Sequence, residues 1–325
     1  MRFWKIAALL LLALGTHAAA AETDYPAREI TLVVPFAAGG PSDVVARIVA
    51  DRMATSLRQQ ITIENVVGAG GTTAATRTMH AVADGYTIMM GHMGTHAAAV
   101  AFYPALAYNP RKDFAPIGIV TGMPVVLLAG KHVPVANLAE FAAYAQQQGS
   151  ALRMAHGGLG SVAYTTCSLL DSLIGARPTM VAYQGTSPAM NALLGGKVDY
   201  MCDQIVTAVP PVRAGTILAL AISTPERSPA LPRVPTTGEA GLPEFQLSAW
   251  NALFAPAGTP SSIIDKLNRA LSEALDNPTV HRQLVDLGGI PPEGDARTPQ
   301  TLAALVDREI AKWNAIIKPK DEARR

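Results

Sequence analysis

The sequence has few charged residues and no excess of one sign. Asp, Glu, Lys and Arg make up 16% of the 325 residues, against about 25% in an average globular protein. Lys and Arg number 26, Asp and Glu number 25, and hydrophobic residues make up 49%. Nucleic-acid binding relies on a basic surface that displaces counterions, so this class of partner is excluded. The apolar content also excludes a disordered chain and allows a large buried core.

Long apolar runs are missing too, except at the N-terminus. A membrane-spanning helix needs about 20 apolar residues in a row, and the best internal stretch, 117–129, is interrupted by glycine and proline. At the N-terminus, Arg2 and Lys5 precede an apolar run over 6–14, and small residues follow up to Ala21. This order is typical of a secretory signal peptide. We therefore expect residues 1–21 to be removed by cleavage near Ala21 and the mature protein to be exported.

Cysteine is scarce, with Cys167 and Cys202 as the only two. In an oxidising compartment such a pair is expected to form a disulfide, whereas in the cytosol it would remain as two buried thiols. Neither residue lies beside a histidine in the sequence, which disfavours a catalytic cysteine. Closing a loop of this length would stabilise the fold by about 3 to 4 kcal/mol.

Short β-branched or apolar segments alternate with helical patterns along the chain. The segments are 30–34, 61–66, 87–90, 153–155, 179–181, 198–201 and 218–222. Strands alternating with helices predict an α/β fold with mostly parallel sheets. Amphipathic helices are predicted after Pro41, with Ser42 or Asp43 as the N-cap, from residue 261 or 262, and after Thr298.

The length predicts two domains, because single domains usually have roughly 100 to 200 residues. Two passages have the composition of crossings between domains. The first, 114–129, is extended and punctuated by glycine and proline, and the second, 247–260, ends in a turn rich in the same residues. A chain that leaves one lobe and later returns to it gives a discontinuous domain.

Five predicted turns between a strand and a helix are rich in Gly, Ser and Thr. They cover 36–43, 68–73, 91–96, 156–161 and 183–187. Each leaves backbone N–H groups free at a helix N-terminus, which carries about half a positive charge and attracts anions. A single turn of this type is explained by steric needs or helix capping. The set of five favours a site that binds carboxylates.

More specific motifs fail. The glycines at 68 and 70 lack the third glycine of a dinucleotide fingerprint, and the chain has no phosphate-binding loop and no Gly-x-Ser-x-Gly motif. His92 and His96 have the spacing of a metal pair, but Gly94 lies between them, so no metal is expected. Asp203 follows a predicted strand, where it either caps a helix or accepts a hydrogen bond from a ligand.

Taken in order, these turns resemble the extracytoplasmic solute receptors of the tripartite tricarboxylate transporter family, the Bug-type receptors. The segments that carry the resemblance are Pro35-Phe36-x-Ala38-Gly39-Gly40-x-Ser42-Asp43, Ala83-Asp84-Gly85-Tyr86, Tyr183-x-Gly185-Thr186, Leu194-Gly195-Gly196-x-Val198-Asp199 and Ala255-Pro-Ala-Gly-Thr-Pro260. The resemblance covers almost the whole mature chain.

This resemblance implies a type II periplasmic-binding-protein fold with two lobes. Each lobe would be a mixed, mostly parallel sheet flanked by helices, joined by two hinge crossings. The expected boundaries are 22–123 plus 247–325 for lobe 1 and 124–246 for lobe 2. A disulfide between Cys167 and Cys202 would then lie within lobe 2.

The resemblance also implies a function without catalysis or cofactors. A monomeric periplasmic receptor would close on a small carboxylate and deliver it to membrane permease subunits. The expected ligand is a dicarboxylate, an acidic amino acid or an aromatic carboxylate. Ligand-binding groups are expected at Phe36, Ala38, Gly39, Gly40, Ser42, Asp43, His92, Thr95, His96, Gly158, Gly160, Ser161, Tyr183, Gly185, Thr186 and Asp203.

Two alternatives remain open at this point. A secreted α/β hydrolase would use Ser161 or Ser187 with a histidine from another turn. A signalling receptor would share the same ligand site and present its closed form to a membrane sensor.

Overall fold

The computed structural model describes residues 25–322, with side chains described up to residue 317. The predicted signal peptide lies outside the described residues. The strands are β1 (Ile30–Val34), β2 (Ile61–Asn65), β3 (Thr87–His92), β4 (Phe114–Gly130), β5 (Arg153–His156), β6 (Thr179–Ala182), β7 (Tyr200–Gln204), β8 (Ile217–Ile222) and β9 (Ser248–Pro256).

Ten α-helices connect or cover these strands within residues 25–322. They are α1 (Pro41–Leu57), α2 (Thr72–Met79), α3 (Ala99–Phe102), α4 (Leu138–Gln148), α5 (Val162–Ile174), α6 (Thr186–Leu194), α7 (Ile205–Arg213), α8 (Ser261–Asp276), α9 (Pro278–Asp286) and α10 (Pro299–Glu322). None of the helices in the described part of the chain is long and apolar enough to cross a membrane.

The strands form two mixed sheets that share β4. In the first sheet β1 pairs in parallel with β2 and β3, and β9 runs antiparallel to both β3 and β4. In the second sheet β5 pairs in parallel with β6 and β7, and β4 runs antiparallel to β7 and β8. The predicted α/β fold is therefore confirmed.

Strand β4 passes from one sheet to the other near its middle. Residues up to Pro124 pair with β9, and residues from Val125 onwards pair with β7 and β8. The predicted crossing at 114–129 is thus one continuous strand, and β9 ends its pairing with β4 at Ser248. The lobe boundaries at 123/124 and 246/247 stay a prediction, which this change of partners supports.

The helix ends match the sequence patterns in part. Thr298 accepts a hydrogen bond from Thr301 N–H at 3.2 Å, as expected of an N-cap. The N-cap predicted for α1 is wrong, because Gly40 caps this helix instead of Ser42 or Asp43. Pro41 has a fixed φ that suits the first helical position, so the cap falls on the residue before it.

Candidate functional site

The glycine-rich turns after β1, β2 and β3 in the first sheet meet those after β5 and β6 in the second. A Cβ on Gly70 would lie 1.8 Å from the carbonyl oxygen of Leu159, and one on Gly185 would lie 3.2 Å from the backbone nitrogen of Ala37. Only glycine permits these approaches, since Gly70 and Gly185 also have positive φ angles. The turns that the sequence singled out therefore converge in space.

The hydroxyl group of Tyr103 links two of these turns. It lies 2.6 Å from the carbonyl oxygen of Leu159 and 2.8 Å from that of Ala69. Its ring also packs against the next turn residue, because a Cβ on Gly160 would lie 3.0 Å from Tyr103 Cε2. Tyr103 thus holds the 68–73 and 156–161 turns together in this conformation.

Three of the four main helices that begin at the turns have no side-chain cap. Gly40, Gly71 and Gly185 are the N-caps of α1, α2 and α6. The first-turn N–H groups of these helices can therefore donate hydrogen bonds to an anionic ligand. The fourth helix, α5, is capped by Ser161, whose Oγ accepts from Tyr164 N–H at 3.2 Å.

Asp43 stabilises the first turn through hydrogen bonds. Its carboxylate accepts hydrogen bonds from Gly39 N–H and twice from Arg47 at 2.9 Å, and from Asn65 Nδ2 at 3.0 Å. Burial alone would raise the pKa of Asp43, but the hydrogen bonds from Arg47, Gly39 and Asn65 lower it below its usual value. Because both oxygens have donors within the protein, we expect Asp43 to affect a ligand through the conformation of the turn, and its place in the site stays a prediction.

Ser42, the neighbouring predicted residue, is 2% exposed. Its Oγ accepts a hydrogen bond of 3.1 Å from Asn251 Nδ2 on β9. Phe36 and Ala37 are half-buried beside Gly185, whereas Ala38 and Gly39 are exposed. The first turn therefore has a face towards the second sheet and an edge towards solvent.

The three residues predicted in the turn after β3 are fully buried. Thr95 Oγ1 lies 3.2 Å from the backbone of His92 and 2.9 Å from His96 Nδ1. The His96 ring stacks on Phe254 at a centroid distance of 3.8 Å and meets Phe114 edge-on, so it lies among aromatic core residues. Burial lowers the pKa of His92 and of His96 to about 3, and His92 further disfavours the charged form of His96.

In the second sheet, Gly158 and Gly160 approach the first sheet most closely. A Cβ on Gly158 would lie 3.0 Å from the backbone nitrogen of Gly70. Tyr183 follows β6 and Thr186 begins α6, and both are half-buried. Gly158 and Gly160 thus lie where the turns meet, which is consistent with the predicted site.

Asp203 is buried at the end of β7, next to α7. Its carboxylate accepts from Gln204 N–H at 2.8 Å and from Thr207 Oγ1 at 2.6 Å. Burial raises the pKa of Asp203 to about 7, although both hydrogen bonds lower it. This geometry is typical of the start of a helix, and each carboxylate oxygen accepts one hydrogen bond.

The predicted disulfide is present between Cys167 on α5 and Cys202 on β7, with a Cα–Cα distance of 5.4 Å. It ties the helix that Ser161 caps to the strand that carries Asp203. Both residues belong to elements of the second sheet, so the bond does not cross between the sheets.

Comparison with known proteins identifies the family. The family model for the tripartite tricarboxylate transporter family receptor matches residues 45–321. BugT from Bordetella pertussis is 32% identical over 98% of this chain and 97% of its own length. This chain belongs to that receptor family.

Solved structures agree with this assignment. MatC from Rhodopseudomonas palustris with bound malate is 52% identical and superposes with a TM-score of 0.89, covering 90% of this chain and all of MatC. The R. palustris protein Rpa4515 with adipate is 34% identical with a TM-score of 0.86, covering 91% of this chain and 98% of that one. The fold is thus that of the periplasmic binding proteins.

Membership of this receptor family makes the chain a solute-binding protein and not an enzyme. Of the two serines that the hydrolase alternative named, Ser161 serves as the cap of α5 through its Oγ. The side chain of Ser187 faces Gly39, whose Cβ position lies 3.4 Å from Ser187 Oγ. Both serines therefore have structural places in the receptor.

Several polar groups in this receptor were not predicted. Asn251 interrupts the apolar strand β9, and Gln204 caps α7; both are buried with a side-chain oxygen that has no partner among the described residues. A polar residue between Trp250 and Ala252 is a sequence signal that could have identified Asn251. Tyr103 gave no such signal, because its partner Leu159 is 56 positions away.

Proposed function

We propose that the mature protein is a periplasmic receptor that binds a small dicarboxylate between the turns of the two sheets and delivers it to membrane permease subunits of a tripartite tricarboxylate transporter. The observation that carries this proposal is the convergence of uncapped helix N-termini from both sheets. Two such ends, one from each sheet, suit two carboxylates on one small molecule.

The relatives support a dicarboxylate over the other carboxylates considered. MatC holds malate and Rpa4515 holds adipate. Both ligands carry a carboxylate at each end. A micromolar Kd requires only about −8 kcal/mol, which two such subsites and closure of the sheets can supply.

Thermal unfolding of the purified exported protein tests the binding. Malate or adipate at 100 times its Kd should stabilise the folded state by about 2.7 kcal/mol. The corresponding uncharged diamides are the matched controls and should give no shift. If neither dicarboxylate shifts the unfolding temperature and an acidic amino acid or an aromatic carboxylate does, the ligand class is wrong.

Uptake of the labelled dicarboxylate tests the delivery. Cells that lack this protein should lose uptake, and the protein supplied from a plasmid should restore it. Binding without any dependence of uptake on this chain would instead favour the signalling receptor.

A further inference from the structure

His92 lies where the turns of the two sheets meet. It is the last residue of β3, and its backbone pairs with Asn251 on β9. Its ring centroid is 5.0 Å from that of Phe36 in the first turn. A Cβ on Gly94 would lie 2.5 Å from His92 Cε1 and also 2.5 Å from the carbonyl oxygen of Gly160, so Gly94 lies between this ring and a turn of the second sheet.

The local backbone fixes which ring nitrogen of His92 carries the proton. Gly94 N–H points at His92 Nδ1 at 2.8 Å. Since a backbone N–H can only donate, Nδ1 is the acceptor, and the neutral ring has its proton on Nε2. Burial keeps the ring neutral, with the pKa lowered to about 3.

The Nε2–H group of His92 is a buried donor without an acceptor among the described residues. Buried polar groups are usually hydrogen bonded, and leaving one unpaired costs free energy. A ligand oxygen between the turns would remove that cost. The sequence predicted His92 as a ligand-binding residue without saying which nitrogen would act, and the hydrogen bond from Gly94 makes Nε2 the donor.

The carboxylates near the turns are unable to serve a ligand ammonium group. Both oxygens of Asp43 are occupied by Arg47, Gly39 and Asn65. At Asp203, burial disfavours the charged form, and each oxygen already accepts one hydrogen bond, from Gln204 N–H or from Thr207 Oγ1. An amino group on the ligand would therefore be desolvated without a free carboxylate to pair with it.

We propose that His92 is a specificity-determining donor, whose Nε2–H binds an oxygen of the ligand, and that the site selects dicarboxylates without an amino group over amino dicarboxylates of the same length. This inference rests on the proposed function, because it assigns a role within the same ligand site.

Isothermal titration calorimetry with matched ligand pairs tests the selectivity. Malate and L-aspartate share a carbon skeleton and differ in a hydroxyl against an ammonium group, and adipate and 2-aminoadipate differ by one ammonium group. The wild-type protein should bind the amino compound of a pair at least about tenfold more weakly. Equal binding within a pair would overturn the selectivity.

Substitutions at His92 test its part. His92→Phe keeps the ring shape and removes the donor, so the Kd for the bound dicarboxylate should rise at least about tenfold. His92→Gln keeps an N–H donor and should recover part of the loss. An unchanged Kd in His92→Phe, or no recovery in His92→Gln, would remove His92 from the ligand contacts.

His132 provides the control, because it follows β4 and lies outside the predicted ligand turns. Its Nε2 lies 2.9 Å from Asp199 Oδ1, so a Phe substitution there also removes a polar contact of a ring nitrogen. His132→Phe should change the Kd less than threefold, and an equal loss in both Phe variants would mean that the effect is structural. If the wild-type protein binds none of the four compounds, the proposed function itself is refuted. This result is distinct from the outcomes that would overturn the selectivity or the role of His92.

Discussion

At the scale of single residues, Asp171 is a buried acid that is not among the predicted ligand-binding residues. Asp171 on α5 is 4% exposed, and Tyr200 donates a hydrogen bond of 2.5 Å to its Oδ1. Its Oδ2 has no partner among the described residues. Burial raises the pKa of Asp171 to about 7, although the bond from Tyr200 lowers it.

This raised pKa makes the stability depend on pH in a defined direction. Between about pH 4 and pH 7 the folded protein keeps a proton on Asp171 that the unfolded chain has lost, so its contribution to stability falls as the pH rises through this window. One pKa unit corresponds to about 1.4 kcal/mol. The side chain therefore favours the folded state most when it is protonated.

The substitution Asp171→Asn tests this reasoning. The amide keeps an acceptor for Tyr200 and does not ionise, so the variant should be more stable than the wild type at pH 8 by at least about 1 kcal/mol. At pH 4, close to the unfolded pKa, the two proteins should differ little. Urea unfolding at both pH values measures this, and an equal difference at pH 4 and pH 8 would show that Asp171 does not titrate as inferred.

At the scale of elements, the turns decide whether the two sheets can approach each other. Gly70 has a φ of +63° and lies against the carbonyl group of Leu159, where a Cβ would be 1.8 Å from the oxygen. Any side chain at this position forces the 68–73 and 156–161 turns apart. The contact between these two turns thus requires glycine at position 70.

We expect Gly70→Ala to raise the Kd for the dicarboxylate at least about tenfold. Gly215→Ala is the matched control, because Gly215 has a φ of +69° but nothing within 4 Å of its Cβ position. Both variants should lose about 1 kcal/mol of stability from the positive φ, and only Gly70→Ala should lose affinity. Calorimetric titration and urea unfolding measure the two effects, and equal affinities in both variants would contradict the role of this contact.

The element positions were largely predictable from the sequence. Strand β1 has the predicted bounds, since its β-branched run ends at Pro35 and a glycine turn. Strand β7 was predicted at 198–201 but covers Tyr200–Gln204, because the polar residues Asp203 and Gln204 complete the pairing with β4. The N-cap of α1 was predicted wrongly because Asp43, a residue type common at N-caps, instead accepts hydrogen bonds from Gly39 N–H and Arg47.

The site was predictable only as a set of turns. Glycine and hydroxyl residues after strands marked the turns, but the sequence did not reveal which turns touch or which side chains face each other. The roles of Tyr103 and Asn251 depend on contacts between distant parts of the chain. Such contacts follow from the packing of the two sheets and have no local sequence pattern.

At the scale of the whole molecule, the low charge agrees with the proposed way of binding an anion. Without Arg2 and Lys5 of the predicted signal peptide, 24 basic residues face 25 acidic ones. The predicted ligand-binding residues include no Lys or Arg. Its positive potential comes from helix N-termini and neutral donors.

Binding should therefore depend weakly on salt. Mobile ions screen exposed charges with a Debye length of about 10 Å at 0.1 M, whereas buried hydrogen bonds between turns are screened much less. We expect the Kd for the dicarboxylate to change less than about threefold between 20 and 300 mM sodium chloride. A calorimetric titration at several salt concentrations measures this, and a tenfold or larger loss would indicate an exposed basic site elsewhere.

The position of the ligand in a crystal structure of the complete exported protein with malate or adipate tests the central claim most directly. The account predicts a dicarboxylate between the turns at 36–43, 156–161 and 183–187, with carboxylate oxygens accepting hydrogen bonds from first-turn N–H groups of α1 or α6 and an oxygen in contact with His92 Nε2. A ligand bound elsewhere on the molecule, or density that leaves these turns empty under saturating conditions, would contradict it.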